Sequence, residues 1–323
     1  MTRLCFIHFS NPMAALIFCL ALGISLIPHS AYGFSLSDLG NLGAPTPGRH
    51  QIKLSGERYN QDRSEYGTAF GLFTLYKNEG SNLKFTTKYS HLNVTPNTTG
   101  ITDLYDSEFG FTYSQKVSET RQLSFYGGYG TKSDKPFKDS SVNTLNLNAI
   151  YSFAYGPKGR WTLLLNYSNN RPILNNIPLP FFAYTYVYSQ DFIGTFGAPF
   201  ASIYWKFAPK WSTSIFAVVP WIFKGQIFYH IIGPFRAYAG VDLSQQSYFQ
   251  YGRTNNKERL FHEEHKAFVG LKAPLLKNLM LDAEFGYAFH RQFFIAESYS
   301  WKPKNPTDLE DSFYGQIGLN LFF

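Results

Sequence analysis

Cysteine is nearly absent from this chain. The 323 residues include 2 cysteines, Cys5 and Cys19, and both lie within the first 33 positions. If those positions are removed during secretion, the remaining chain has no thiol for a disulfide, a thiolate-bound metal or a lipid anchor. Disulfide-stapled folds and cysteine catalysis are therefore excluded for the mature protein, and the composition indicates no cofactor.

Residues 1–33 have the pattern of a secretory signal peptide. Arg3 supplies the positive end, and an uncharged apolar run of 15 residues starts at Met13. This run is shorter than the ~20 residues that a membrane-spanning helix needs. The small residues Ala31 and Gly33 occupy the two positions that a signal peptidase reads. We therefore expect cleavage after Gly33 and a mature chain that begins at Phe34. A retained anchor helix is the alternative.

Long apolar runs are also missing beyond this leader. The most apolar later stretch, Ile215 to Phe223, contains Pro220 and is followed by Lys224. No transmembrane helix is therefore predicted in the mature chain. Yet aromatic residues make up 19% of the sequence, a high proportion for a chain without a long apolar run. That combination predicts alternation of apolar and polar side chains, as in strands with one apolar face.

Segments of about ten residues alternate in this way from His50 onward. In the stretch from Asn82 to His91, odd-numbered positions are mostly apolar and even-numbered positions polar. Strands of roughly 9 to 11 residues cross a bilayer when they close into a barrel, where every backbone group finds a partner. Short links alternate with long ones, as the periplasmic turns and outer loops of bacterial barrels do. The Gly- and Pro-rich residues 34–48 predict an irregular lead-in to a barrel of residues 49–323.

The number of strands follows from a count of these segments. A barrel with both ends in the periplasm has an even number of strands, whereas the count gives about fifteen. The implied up and down directions conflict only between Phe181 and Leu243, which places one surplus segment there. Pro199 and Pro220 cannot donate to a strand ladder, so each predicts a turn or a bulge. We therefore predict an all-β, transmembrane, antiparallel up-and-down barrel of fourteen strands, with twelve as the alternative. The segments are 50–59, 67–77, 82–92, 104–116, 121–130, 142–155, 160–169, 181–191, 199–207, 211–219, 224–232, 235–243, 259–272, 278–290 and 312–323.

The residues from Phe313 to Phe323 have the pattern of a strand that continues to the last residue. They resemble the C-terminal assembly signal of bacterial outer-membrane barrels, with Gly318, Leu321 and Phe323 at the characteristic spacing. Ile317 departs from that pattern, which favours a polar residue before the glycine. The resemblance implies an outer-membrane location after Sec-type secretion, with the barrel-assembly machinery as a partner. A soluble secreted β-domain that ends in Phe is the alternative.

A second resemblance extends over the mature chain. The stretch from Gly197 to Pro220 resembles the uncharacterised outer-membrane β-barrel proteins of Gram-negative bacteria that carry a domain of unknown function. That resemblance implies the barrel fold and the outer membrane. It implies neither a substrate nor a catalytic residue.

Charged residues on the polar faces of two segments are the candidate functional residues. Lys84 and Lys88 alternate with one apolar stripe, and Asp282 and Glu284 alternate with another. In a barrel these side chains point into the lumen, where charge sets selectivity or forms a plug. Two outcomes stay open: a charge-lined pore, or a closed interior in which these charges pair with one another.

No motif in the sequence predicts catalysis or a metal site. His262 and His265 are three residues apart in a predicted strand or loop, so their side chains should lie on opposite faces. The metal-binding histidines of zinc proteases are instead four apart on one helical face. An outer-membrane lipase or acyltransferase needs a serine, a histidine and an orienting group together, and no nucleophile motif is present. We therefore do not expect an enzyme, although a triad assembled from distant strands stays an alternative.

The formal net charge is +7, but lysine and arginine are scattered along the chain instead of forming one basic stripe. Nucleic acid is therefore not an expected partner, whereas outer-membrane lipid and anionic lipopolysaccharide suit a basic exterior. A barrel of about fourteen strands is wider than the roughly eight whose side chains fill the interior. We therefore expect a porin-like channel for passive passage of small solutes. The alternatives are a non-transporting surface or structural barrel that binds a partner through its outer loops, and a lipid-modifying enzyme.

Overall fold

The computed structural model describes residues 50–61, 64–94, 100, 102–171, 173–219, 222–300 and 303–323. The predicted signal peptide at 1–33, its cleavage point between Gly33 and Phe34, and the predicted lead-in at 34–48 lie outside the described residues. Within the described ranges, no helix is long and apolar enough to cross a membrane.

The described residues form one antiparallel sheet of seventeen strands. The strands are β1 Gln51–Tyr59, β2 Glu65–Lys77, β3 Ser81–Asn93, β4 Asp103–Lys116, β5 Arg121–Ser133, β6 Asn143–Tyr155, β7 Gly159–Ser168, β8 Leu179–Ser189, β9 Phe192–Ala198, β10 Phe200–Ala208, β11 Trp211–Val218, β12 Ile222–Ile232, β13 Phe235–Tyr248, β14 Arg259–Leu276, β15 Leu279–Ala296, β16 Thr307–Asp308 and β17 Ser312–Phe322. Sixteen of these described strands form the wall, while the two-residue β16 pairs only with β15. A 3-10 helix at Ser140–Val142 lies between β5 and β6.

The sheet closes on itself because its first and last strands pair. The register of β1 and β17 runs from Gln51 opposite Phe322 to Tyr59 opposite Tyr314. His50 and Phe323 extend this ladder with two backbone hydrogen bonds, of 2.8 Å and 3.0 Å. β17 also pairs with β15 on its other side, which leaves no open edge at this seam of the described wall. The predicted fold class, an all-β antiparallel closed barrel, is therefore confirmed.

Alternate residues of each strand face opposite sides of the wall. In β17, Phe313, Ile317 and Leu319 are exposed on the outer face, whereas Ser312 and Tyr314 are buried on the inner face. Exposed apolar residues recur on the outer face around the ring, and an apolar exterior is the arrangement of a membrane-spanning barrel. Exposed apolar residues of the outer face include Phe109, Phe111, Phe125, Leu147, Leu163, Phe182, Phe196, Trp205, Ile227, Val269, Leu271 and Phe285.

Connections at the two ends of the barrel differ in length over most of the chain. One end, which we call the turn end, carries tight links such as 78–80 and 277–278. The opposite end, which we call the loop end, carries longer links such as 134–142 and 297–311. This alternation agrees with the pattern predicted from the sequence, and the described strands begin and finish at the turn end, where His50 meets Phe323.

The predicted number of fourteen strands, and the alternative of twelve, are wrong, because the described residues form a wall of sixteen. None of the fifteen predicted segments is surplus, and the strand that the prediction missed is β9, which has 7 residues. Only residues 190–191 separate β8 from β9, and Pro199 alone separates β9 from β10. Because the links on both sides of β9 are so short, the sequence does not separate β9 from β8 and β10 as a strand of its own. Pro199 does occupy a turn, as predicted, and Pro220 lies outside the described residues.

The residues that resemble an assembly signal lie in β17 and directly after it, near the turn end. Gly318 faces inward between β15 and β1, and Leu321 is exposed on the outer face. The ring of Phe323 stacks on His50 with a centroid separation of 5.4 Å. The last strand is therefore paired along its length, while its recognition by assembly machinery stays a prediction.

Candidate functional site in the lumen

Four charged residues and one tyrosine form an ion cluster on the inner face of β1, β14 and β15. Lys266 Nζ lies 2.5 Å from Glu57 Oε1 and 2.8 Å from Glu264 Oε2. Arg291 Nε donates to Glu264 Oε1 at 3.0 Å, and the hydroxyl of Tyr59 donates to the same oxygen at 2.7 Å. Two carboxylates and two cations balance one another, so the cluster fills this part of the lumen without a net charge.

Asp282 and Glu284, two of the predicted lumen charges, lie one layer closer to the turn end. The hydroxyl of Tyr238 lies 2.6 Å from Asp282 Oδ1 and 3.0 Å from Glu284 Oε2. Tyr314 donates to Glu284 Oε1 at 2.7 Å, and Lys272 Nζ lies 3.3 Å from Asp282 Oδ2. Both carboxylates therefore point inward, where phenol groups and a lysine hold them against the wall.

Lys84 and Lys88, the other two predicted lumen charges, lie on the inner face of β3. Lys84 is buried, with 2% of its surface exposed. Lys88 Nζ lies 2.7 Å from Asp106 Oδ2, and Lys132 Nζ lies 3.1 Å from the same oxygen. The predicted charges thus occupy two separate parts of the wall, and Lys88 and Asp282 each pair with a residue of an adjacent strand, not with each other.

The upper part of the hairpin formed by β13 and β14 reaches across the mouth at the loop end. The backbone N–H of Phe249 donates to the carbonyl of Lys132 in β5 at 2.7 Å, and Phe249 forms a strand bridge with Ser133. β5 and β13 lie eight strands apart in the described ring of sixteen. A round barrel of that size would be about 30 Å across. The contact therefore divides the mouth into two parts.

The loop 249–258 of this hairpin is also tied to the loop between β5 and β6. Tyr251 N–H donates to Asp134 Oδ1 at 2.8 Å. Arg253 Nη2 donates to the carbonyl of Ser141 at 2.6 Å. Backbone and side-chain hydrogen bonds together hold the hairpin across the mouth.

An apolar cluster lies beneath the hairpin, between β3–β4 and β13–β15. Its members are at most 8% exposed and comprise Leu92, Val94, Leu104, Tyr248, Leu260, Phe293 and Leu309. Because β4 and β13 lie on nearly opposite sides of the ring, these side chains span the lumen and exclude water from it. The apolar cluster and the ion cluster fill the part of the barrel bounded by β13 to β17 and β1 to β5. We call this part the filled half.

The other half, bounded by β6 to β12, has polar side chains on its inner face together with buried apolar ones such as Leu164, Phe200 and Phe216. Asn166 Nδ2 donates to Asn146 Oδ1 at 3.0 Å and to Asn148 Oδ1 at 2.7 Å. The hydroxyl oxygens of Thr185 and Thr195 lie 3.0 Å apart. Asn146, Asn148 and Thr185 are half-buried although they point inward. We call this lining the polar path, since polar side chains that stay accessible on an inner face indicate unfilled lumen.

Two cations without carboxylate partners in the described chain lie at the turn end, Arg160 in the polar path and Arg236 on the neighbouring strand β13. Arg160 is exposed on the inner face of β7. The guanidinium carbon Cζ of Arg236 lies 5.0 Å from the ring centroid of Phe228. Within the described part of the chain, neither arginine forms an ion pair. The inward Asp242 is already paired with Lys224, at 3.0 Å. This end of the path therefore carries fixed positive charge.

A serine and a histidine meet on the inner face of β11 and β12. Ser212 Oγ lies 2.8 Å from His230 Nε2, which is the contact between nucleophile and base that a hydrolase would need. The charged neighbours of His230 are the cations Arg236 and Lys206, and no carboxylate accepts a hydrogen bond from it among the described residues. Ser212 is fully buried. The pair therefore lacks both the orienting acid and the access that a lipid substrate requires.

Sequence reasoning missed most of the ion cluster. In β14, the even-numbered Glu264 and Lys266 lie on one face and the odd-numbered Val269 and Leu271 on the other. This alternation is visible in the sequence and would have identified Glu264 and Lys266 as inward residues. Glu57 gives no such signal, because its neighbours in β1 are not a clear apolar stripe. His262 and His265 lie on opposite faces, as predicted: His262 is buried inside and His265 is on the outer face.

Comparisons with known proteins give structural likeness alone. A scan against family models finds no match, and a search of curated proteins finds none either. Among solved structures, the CymD monoaromatic hydrocarbon channel is similar with a TM-score of 0.43 and 10% identity, over 94% of this chain and 96% of that one. An outer-membrane channel from Pseudomonas putida F1 is similar with a TM-score of 0.34 and 10% identity, over 85% and 96%. NanC porin gives a TM-score of 0.33 and 9% identity, over 84% and 98%. At TM-scores below 0.5 these likenesses say nothing about what this chain carries or binds.

We predict that Lys266→Met destabilises the barrel by about 3–5 kcal/mol, because it leaves Glu57 buried without a cation and leaves Glu264 with Arg291 alone. The control is Arg58→Met. Arg58 lies 3.7 Å from Glu65 with 72% of its side chain exposed, so its loss should cost about 1 kcal/mol or less. Denaturant unfolding in lipid vesicles measures both changes. Equal losses from the two variants would contradict the assignment of Lys266 to a packed ion cluster.

Proposed function

We propose that this protein is a porin-like channel of the bacterial outer membrane for passive passage of small solutes. The observation that carries the proposal is the difference between the two halves of the lumen. The filled half is closed by the ion cluster and the apolar cluster, whereas Asn146, Asn148 and Thr185 of the polar path point inward and stay partly exposed. Solutes would therefore pass along β6 to β12.

The charge at the turn end of the polar path gives the channel a preference for anions. Arg160 and Arg236 lack carboxylate partners among the described residues, while Asp242 is neutralised by Lys224. Fixed cations raise the local concentration of anions in a narrow aqueous space, and rings of Arg and Lys select anions in other pores. The uncharged amides and hydroxyls along the rest of the path can replace part of a solute's hydration shell without adding charge.

Location and partners belong to the same proposal. The signal-peptide pattern of residues 1–33 supports Sec-type secretion, and the resemblance at Gly318, Leu321 and Phe323 supports delivery by the barrel-assembly machinery. Lipid and lipopolysaccharide are the proposed surroundings of the apolar outer face. Membership of the uncharacterised Gram-negative family rests on the stretch from Gly197 to Pro220, which includes β10 and β11.

A non-transporting surface or structural barrel is the second candidate. The hairpin across the mouth favours it, because hydrogen bonds at Phe249, Tyr251 and Arg253 close part of the entrance. A lipid-modifying enzyme has less support, since the contact between Ser212 and His230 has no acid beside it in the described structure. Purified protein that gives neither current nor solute uptake would favour the structural role over the channel.

We predict that Asn148→Trp lowers the single-channel current of the purified protein in planar bilayers by about half or more. The indole would occupy space on the polar path that the amide leaves open. Leu147→Trp is the matched control, because Leu147 is the preceding residue of the same strand and is exposed on the outer face. Its current should equal that of the unchanged protein. If Asn148→Trp also conducts normally, the polar path is not the route.

We predict that Arg160→Gln combined with Arg236→Gln lowers the ratio of anion to cation permeability by about twofold or more. The reversal potential in a salt gradient across the bilayer measures this ratio. Arg58→Gln removes an exposed cation from the outer face and should leave the ratio unchanged. An unchanged reversal potential in the double variant would show that these arginines do not set selectivity.

A further inference from the structure

Two histidines and a glutamate come together on the outer face of β14 and β15. His265 Nε2 lies 3.6 Å from Glu263 Oε1, and His290 Nε2 lies 3.9 Å from the same oxygen. One ligand atom from each of the three residues lies within 4.8 Å of the other two. No part of this group faces the lumen, so it is separate from the polar path and from the ion cluster.

A bulge between β14 and β15 creates this grouping. His265 is opposite Phe289 and Glu263 is opposite Gln292, so His290 and Arg291 together face Glu264. Arg291 turns inward to the ion cluster, while His290 is left on the outer face beside His265. His290 has a φ of 49°, a left-handed conformation that is unfavourable for a residue with a side chain. Bulges often redirect a side chain at a functional position, and strained backbone is retained where the surroundings enforce it.

The position of the group along the strands makes it reachable from water. Below it, the outer face of β14 and β15 carries the exposed apolar residues Val269, Leu271 and Phe285. Around the group the same face is mixed: Phe289 lies opposite His265, and the buried Phe261 and Phe294 lie on its loop-end side. The side chain of His290 is 52% exposed, whereas those of His265 and Glu263 are 24% and 14% exposed. An ion could therefore approach past His290 and meet two partly desolvated ligands.

The surroundings orient the three ligands. Gln292 Nε2 lies 2.8 Å from Glu263 Oε2 and 3.2 Å from His290 Nε2, so this amide contacts two of the three ligands. The ring of Phe289 packs edge-on against His265, with centroids 5.7 Å apart. The backbone N–H of His290 donates to Asp311 Oδ1 at 3.1 Å, which anchors the bulge to the start of β17. Hydrogen bonds from outside the ligand shell fix ligand orientation in metal sites, and apolar contacts limit solvent access.

We propose that Glu263, His265 and His290 form a binding site for a divalent transition-metal ion of the Zn²⁺ class. A tetrahedral zinc ion at about 2.0–2.1 Å from each ligand places the ligand atoms roughly 3.4 Å apart, so small side-chain rotations would close the present separations. Imidazole nitrogens favour Zn²⁺, Cu²⁺ and Ni²⁺ over Ca²⁺ and Mg²⁺. Three protein ligands leave a fourth position for water. The ion would join the two strands at the bulge, which is where their ladder is interrupted.

Equilibrium dialysis of the full chain in detergent, after treatment with a chelator, tests the proposal with Zn²⁺ itself. We expect one Zn²⁺ per chain, and an excess of Ca²⁺ or Mg²⁺ should not displace it. His265→Asn and His290→Asn should each weaken Zn²⁺ binding by about tenfold or more. His91→Asn is the matched control, because His91 also faces outward near the loop end, where it is paired with Asp103 at 2.7 Å. Its affinity should be unchanged.

Co²⁺ provides a second measurement on the same variants. Visible absorption bands of four-coordinate Co²⁺ should appear in the unchanged protein and in His91→Asn, and should be lost in His265→Asn and His290→Asn. The heat-dependent shift in gel mobility of a folded barrel checks that each variant has folded. Failure to bind Zn²⁺ stoichiometrically would overturn the proposal, and so would folded histidine variants that bind Zn²⁺ as the unchanged protein does.

Discussion

Closure of the hydrogen-bonded ring is the constraint on which the rest of this structure depends. A strand in hydrocarbon has no water to satisfy its backbone, so every N–H and C=O must find a partner in an adjacent strand. The pairing of β1 with β17, extended by the two hydrogen bonds between His50 and Phe323, provides that partner at the seam. Once the ring is closed, successive side chains of each regular strand point alternately to lipid and to the lumen.

A closed wall of sixteen described strands encloses more space than inward side chains can fill, and this chain fills the space unevenly. On one side, the hairpin of β13 and β14 crosses the mouth to β5, with the ion cluster of Lys266 and its partners below it. On the other side, inward polar side chains such as Asn146, Asn148 and Thr185 stay partly accessible. The side chains of the filled half narrow the open part of the lumen. The buried ion pairs among them leave no uncompensated charge. The proposed selectivity then depends on Arg160 and Arg236, which have no carboxylate partner among the described residues.

The sequence predicts the features that depend on local alternation. The period of two, the terminal strand from Phe313 and the inward direction of Lys84, Lys88, Asp282 and Glu284 all follow from neighbouring residues. Features that depend on distant contacts could not be predicted. Phe249 meets Lys132 across more than a hundred residues, and nothing near either residue signals the contact. The strand β9 was missed because its links are too short to separate it from β8 and β10. The bulge at His290 was missed because the sequence around one inserted residue gives no sign that the alternation of faces is shifted there.

Thiol accessibility along β6 tests the central claim most directly. Single cysteines would be introduced one at a time from 145 to 150, in a chain whose Cys5 and Cys19 are replaced, and labelled in lipid vesicles with a membrane-impermeant reagent. The barrel described here predicts reaction at 146, 148 and 150, which face the polar path, and protection at 145, 147 and 149, which face lipid. Uniform reactivity at all six positions, or protection without a period of two, would contradict a closed wall with an apolar outer face and a solvent-accessible inner face.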